Sequence, residues 1–144
     1  MPSNILVPVD TTYASTDWLK QPLAIATDLA RRSGGTVHLI SVVPDNLLKG
    51  SYPDVYSDNV AKEVRQRLDE IAKQYIPSDV TVKSEVRRGG ICSEVLRAVR
   101  EIGVNEIVIA SHGPVLKDYL IGSNAGHIAL HAPCSVHVIR DQVA

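Results

Sequence analysis

Ile109-Ala-Ser-His-Gly-Pro-Val-Leu-Lys-Asp-Tyr-Leu-Ile-Gly-Ser-Asn-Ala125 is the stretch on which the reading of this chain turns. The apolar run Ile107–Ile109 stops at small polar residues, and a Gly-Ser step stands where a helix would start. The first amides of a helix have no partner within it, so a small-residue strand end followed by Gly-Ser suits a phosphate. Gly113 and Gly122 let the backbone approach a ligand closely, and Ser123 adds a hydroxyl beside the outward-pointing amides. The pattern is that of a nucleotide cradle.

Around this stretch, Val- and Ile-rich runs alternate with segments whose apolar residues recur every three or four positions, as in a parallel sheet flanked by helices. Strands are predicted over 4–10, 36–43, 80–88, 106–111 and 135–140. Helices are predicted over about 17–33, from Val60 to just before Pro77, over about 93–102, and over about 123–131. The prolines, Gly50 and polar residues of 44–59 predict an irregular loop, with a lid over a site as its functional reading. Strand three alternates Val80, Val82, Ser84 and Val86 with Thr81, Lys83, Glu85 and Arg87, the mark of an edge strand with one wetter face.

The fold expected is α/β: a single-domain Rossmann-like sandwich over residues 1–144, with helices on both faces of a five-stranded parallel sheet of order 3-2-1-4-5. In that order the topological switch lies between strands one and four, and a ligand belongs outside their carboxyl ends. Those ends are Asp10 and Ala110-Ser111-His112, about a hundred residues apart in sequence.

Composition narrows the function classes. With 144 residues, 44% of them hydrophobic, and a formal net charge of −1, the chain suits one globular core and has no electrostatic bias toward nucleic acid or anionic membrane. Cys92 and Cys134 form no CxxC pair, so two free buried thiols are expected rather than a zinc or dithiol site. The N-terminus has no signal-peptide pattern and no apolar run nears the roughly 20 residues of a membrane span, which makes the cytoplasm the expected location.

Three segments resemble the universal stress protein family: Ile5-Leu-Val-Pro-Val-Asp10, Ser41-Val-Val-Pro44, and the run from Gly122-Ser-Asn-Ala125 through His131-Ala-Pro-Cys-Ser-Val-His-Val-Ile-Arg140. The resemblance covers nearly the whole chain. It departs from the ATP-binding pattern of that family in two places: Ala110 replaces the first Gly, and eight rather than nine residues separate Gly113 from Gly122. The Ser-His-x-Pro segment with Gly-Ser-Asn-Ala is similar to the subgroup typified by universal stress proteins F and G.

The resemblance implies an adenine-nucleotide site. Pro8, Val9 and Asp10 would flank the adenine and ribose, Val42 would close the base pocket, and Ile109 and Ala110 would face the nucleoside. Gly113, Gly122, Ser123, Asn124 and Ala125 would hold the phosphates, with Ser111 and His112 nearby. ATP is the ligand expected, with Mg2+ as a candidate companion. Asp10 has a second reading as a turn residue after strand one.

No catalytic residue is assigned. His112 has no recognisable carboxylate partner, the other histidines show no metal-ligand spacing, and Lys117 and Asp118 are expected to be solvated loop charges. Trp18 and Tyr13 are read as helix-start packing rather than as site residues. No Gly-x-x-x-x-Gly-Lys-Ser/Thr or Gly-x-Gly-x-x-Gly segment follows strand one, which argues against P-loop ATPases and dinucleotide dehydrogenases.

The leading expectation is a stress-response protein that binds ATP and serves as a nucleotide-dependent interaction module, with slow turnover or none and an unidentified protein partner. The alternatives are a slow magnesium-dependent ATP hydrolase or phosphotransferase, and a protein-binding dimer with a vestigial pocket. An apolar edge at strand five implies a homodimer through that strand, with a tetramer as a further assembly.

Overall fold

Ile5, Leu6 and Val7 offer no polar side to water, and all three are buried in β1 (Asn4–Pro8), the middle strand of a five-stranded parallel sheet. The computed structural model describes residues 2–44, 54–111 and 122–140, except for the side chains of residues 54–58. The other strands are β2 (Thr36–Val43), β3 (Thr81–Arg88), β4 (Glu106–Ala110) and β5 (Ser135–Ile139), in the spatial order β3-β2-β1-β4-β5. The helices are α1 (Lys20–Ser33), α2 (Asp54–Tyr75), α3 (Ile91–Ile102) and α4 (Ser123–His131). This is the α/β architecture and strand order expected from the hydrophobic pattern.

Two cores follow from the pleat, because alternate strand residues face opposite sides. On one side Ile5, Val7, Val37, Leu39 and Val108 meet Leu23, Ala26 and Ala30 of α1 and Leu68, Ile71 and Ala72 of α2. On the other, Leu6, Ile40, Ile107 and Ile109 meet Val95, Ala98 and Val99 of α3 and Ala125 and Ile128 of α4. The turn between α1 and β2 requires its glycines. Gly34 ends α1 at φ 67°, and a Cβ on Gly35 would overlap the carbonyl oxygen of Ser3.

The sheet opens where the chain order reverses. β1 follows β2 in register up to the pairing of Pro8 with Ile40, and the Val9 amide extends the ladder to the Ile40 carbonyl at 2.8 Å. β4 stays with β5 as far as Ala110 and Ile139, and the Ser111 amide then reaches the Ile139 carbonyl at 2.8 Å. Between β1 and β4 the register pairs are Ile5 with Glu106 and Leu6 with Ile107. Beyond them the two strands part, leaving their carboxyl ends to frame a crevice.

Several expected boundaries shift. β1 stops at Pro8, so Asp10 lies past the strand, and β4 stops at Ala110. A 3-10 turn over Asp17–Leu19 precedes α1 instead of a continuous helix from 17. α2 begins at Asp54, so the last residues of the expected 44–59 loop are helical, and the lid reading for 45–53 lies outside the described residues. α3 begins at Ile91 and buries Val95, Ala98 and Val99. Cys92 and Cys134 are free but only partly buried, because both lie at the margin of their core.

β3 is an edge strand as expected, and its polar face is partly covered. Arg87 is 11% exposed and lies 2.9 Å from Glu85, 3.6 Å from Glu94 and 2.6 Å from Glu101. Glu94 and Glu101 are two helical turns apart on α3, so one guanidinium ties the helix to the edge of the sheet along that length.

Candidate functional site at the sheet opening

The crevice between β1 and β4 leads into a cavity of about 420 Å3. Its floor comes from strand ends: Pro8, Val9 and Asp10 after β1, Ile40 to Pro44 from β2, and Ile109, Ala110 and Ser111 from β4. Gly122, Ser123, Asn124, Ala125 and Ile128 bring in α4, while Ile91 and Val95 bring in α3. Eleven of the thirteen residues singled out in the sequence therefore line one cavity. The other two, His112 and Gly113, lie outside the described residues, as do Lys117 and Asp118.

The start of α4 presents backbone donors of the kind that hold anions. Gly122 is the residue before the helix, in extended conformation with φ −60° and ψ 149°, and has no side chain to cap the first turn. The first bond of the helix runs from the Gly126 amide to the Gly122 carbonyl at 2.9 Å. The amides of Ser123, Asn124 and Ala125 precede that bond, and all three residues line the cavity. The Ser123 hydroxyl is exposed beside them.

Two buried hydroxyls add polar character to an otherwise apolar interior. Ser41 and Ser111 are 5% and 1% exposed, line the cavity, and make no side-chain hydrogen bond to another described residue. Buried polar groups without a protein partner are costly unless water or a ligand satisfies them. Asp10 is different. Its Oδ1 accepts the Thr12 amide at 2.9 Å and the Thr12 hydroxyl at 2.6 Å, so the turn-forming role is realised while the residue also lines the cavity.

The Cys92 thiol donates toward Asn124 Oδ1 at 3.3 Å and links the first turns of α3 and α4. Burial pushes its pKa upward, so it is a packing contact rather than a nucleophile. Among the described residues, no group of three or more His, Cys, Asp or Glu is placed to share a metal ion, and Asp10 is the one carboxylate lining the cavity.

A model of the universal stress protein family matches residues 1–140. The chain belongs to the universal stress protein family. Universal stress protein G of Shigella flexneri is 27% identical over 141 residues, which cover 94% of this chain and 97% of that protein. Among solved structures of the family, the universal stress protein UspA from Lactobacillus plantarum is 25% identical with a TM-score of 0.69, covering 96% of this chain and 98% of that one. The universal stress protein from Archaeoglobus fulgidus in complex with dAMP shares the fold at 17% identity, with a TM-score of 0.61 and coverage of 95% and 97%.

Several cavity residues escaped the sequence reading. Tyr13 and Trp18, read there as packing residues, both line the cavity, as do Val60 and Val64 from α2. Val60 and Val64 stand one turn apart in the helix, a spacing that signals a shared face without saying what that face covers. Ser41 was legible only as a polar residue within an apolar strand.

Proposed function

We propose that this protein binds ATP at the carboxyl ends of β1 and β4 and works as a nucleotide-dependent interaction module, with slow hydrolysis or none. The observation that carries this reading is the start of α4, where three amides free of intrahelical partners edge a cavity that opens at the split of the sheet. The volume lies within the roughly 300–1,000 Å3 of small-molecule sites. The dAMP complex of a protein with the same fold supports the same class of ligand.

The donor set fits such a ligand. Ser123, Asn124 and Ala125 hold phosphate oxygens through backbone amides, Ser111 and Ser123 contribute hydroxyls, and Pro8, Val9, Val42, Ile109 and Ala110 enclose the nucleoside. Asp10 takes a ribose hydroxyl with the oxygen that Thr12 leaves free. Mg2+, when bound, neutralises phosphate charge and needs only one or two protein carboxylates. No general base is assigned, and this is the reason that rapid turnover is not part of the reading.

Two copies pair through β5 at the edge of the sheet, where Val136 and Val138 are only partly covered by their own chain. The cytoplasm is the proposed location. Among the described residues, no helix is long and apolar enough to cross a membrane.

Mass spectrometry of nucleotide released from the purified protein, followed by calorimetric titration of the emptied protein with ATP and Mg2+, tests the function. Recovered ATP supports the module. ADP alone supports the hydrolase, and no nucleotide with no titration heat overturns the site.

A further inference from the structure

We propose that Tyr13 and Trp18 form the wall that reads the base of the bound nucleotide, and that Arg67 on α2 is the positioning residue that holds this wall in place. The inference rests on the nucleotide reading above and deepens it by naming what recognises the base.

The chain between Asp10 and Leu19 is a strap that leaves β1, borders the cavity and enters α1. Its aromatic residues meet edge to face, with ring centroids 5.7 Å apart and planes at 77°, and both line the cavity. The rings are partly buried, so each keeps surface available to a third group. A T-shaped pair is a stable arrangement of two ring quadrupoles and fixes the direction of both faces.

The strap is held from inside and from outside. Within it, the Trp18 indole donates to the Ser15 carbonyl at 3.0 Å, the Asp17 amide to the Ser15 hydroxyl at 3.3 Å, and the Thr12 amide to Asp10 at 2.9 Å. From outside, one terminal nitrogen of Arg67 donates to the Ala14 carbonyl at 2.8 Å and the Tyr13 carbonyl at 3.4 Å. Tyr75, two turns further along α2, shares a hydrogen bond of 2.7 Å with the Thr16 hydroxyl. The same helix sends Val60 and Val64 into the cavity wall. α2 therefore supplies both part of the wall and the clamp that sets the rest.

The chemistry suits a flat aromatic ligand rather than a polyphosphate alone. Tyr13, Trp18, Val60 and Val64 present apolar and aromatic surface with no cation among them, whereas the phosphate donors are grouped at α4. Aromatic side chains contact the flat face of a base, so this wall separates ligands that carry a base from those that carry phosphate alone.

Trp18 is the single tryptophan of the chain, so its fluorescence reports on the wall directly. The experiment titrates wild type, Arg67→Ala, Arg67→Lys and Tyr13→Ala with ATP, adenosine and inorganic triphosphate, following Trp18 emission and calorimetric heat. In wild type, ATP and adenosine change Trp18 emission. Arg67→Ala and Tyr13→Ala weaken ATP and adenosine binding by about tenfold each, in keeping with the loss of one base–aromatic contact, and leave inorganic triphosphate binding unchanged. Arg67→Lys recovers part of the loss, because an ammonium can still donate to one carbonyl.

Equal weakening of all three ligands identifies Arg67 as a general structural support and overturns the base-reading role. If Arg67→Ala does not fold, Tyr13→Ala decides alone by the same criterion. ATP and adenosine affinities equal to wild type in the variants overturn the wall and leave the nucleotide site standing. Wild-type protein that takes up neither ATP nor adenosine overturns both.

Discussion

The amide of Gly122 donates to the carbonyl of Ser111 at 2.6 Å, so the chain returns to the end of β4 at the point where α4 begins. This bond sets the first turn of α4 against the split between β1 and β4. Both residues belong to the stretch that singled out the site in the sequence.

Gly122→Val tests the anion role of that helix start. Gly122 has extended backbone angles open to valine, and its carbonyl bond to the Gly126 amide does not depend on its side chain, so the variant is expected to fold, which circular dichroism checks. The branched side chain is expected to obstruct the approach to the amides, since Gly122 lines the cavity. Calorimetry is expected to show at least about tenfold weaker ATP binding, about 1.4 kcal/mol, with adenosine affinity unchanged.

Arg87→Met removes the cation shared by Glu85, Glu94 and Glu101 and leaves three carboxylates facing one another. Because two of these are about half exposed, the expected cost is below that of a fully buried pair, about 2 kcal/mol by urea unfolding. Adding Glu94→Gln is expected to recover part of the loss, since the two sites are coupled. Additive effects of the two substitutions would count against the clamp.

His38 makes stability depend on pH. Its Nε2 lies 3.0 Å from Asn4 Oδ1, and burial, followed by the charge of Lys83, holds its pKa below the usual value of about 6.5 against the opposing Glu85. The unfolded chain therefore takes up the proton more readily than the folded one. Stability from this group is complete above about pH 6.5 and declines as pH falls through that value toward the folded-state pKa. Urea midpoints at pH 7.5 and 5.5 are expected to differ less in His38→Gln than in wild type, and an unchanged difference would clear His38 of the effect.

Pairing through β5 is checked by sedimentation of Val138→Lys. Val138 packs only partly against its own core, and a lysine on an edge strand disfavours pairing with a second chain. Wild type is expected to sediment as a dimer and the variant, at the same concentration, as a monomer. Identical sedimentation would place any dimer elsewhere.

The sequence by itself determined the order of elements and the location of the crevice. The runs Ile5-Leu-Val7 and Ile107-Val-Ile109 are apolar on consecutive residues, short and rich in β-branched side chains, as in strands buried on both faces, and they mark the two central strands. Gly34 marks a helix stop because it takes the left-handed backbone, φ 67°, that favours glycine after a last helical turn. Local chemistry of this kind is written in neighbouring residues and survives without the fold.

Tertiary structure alone decided what closes the cavity. Arg67 and Tyr13 are separated by more than fifty residues, and nothing in either segment announces that one guanidinium holds the other's carbonyl. Trp18 reads as a helix-start residue until α2 is seen supporting the strap around it, and Val60 and Val64 read as core until the sheet opening is placed beside them. Periodicity reports which face of an element is apolar. What that face meets depends on distant segments brought together by packing, and a cavity is the place where such faces meet without filling the space between them.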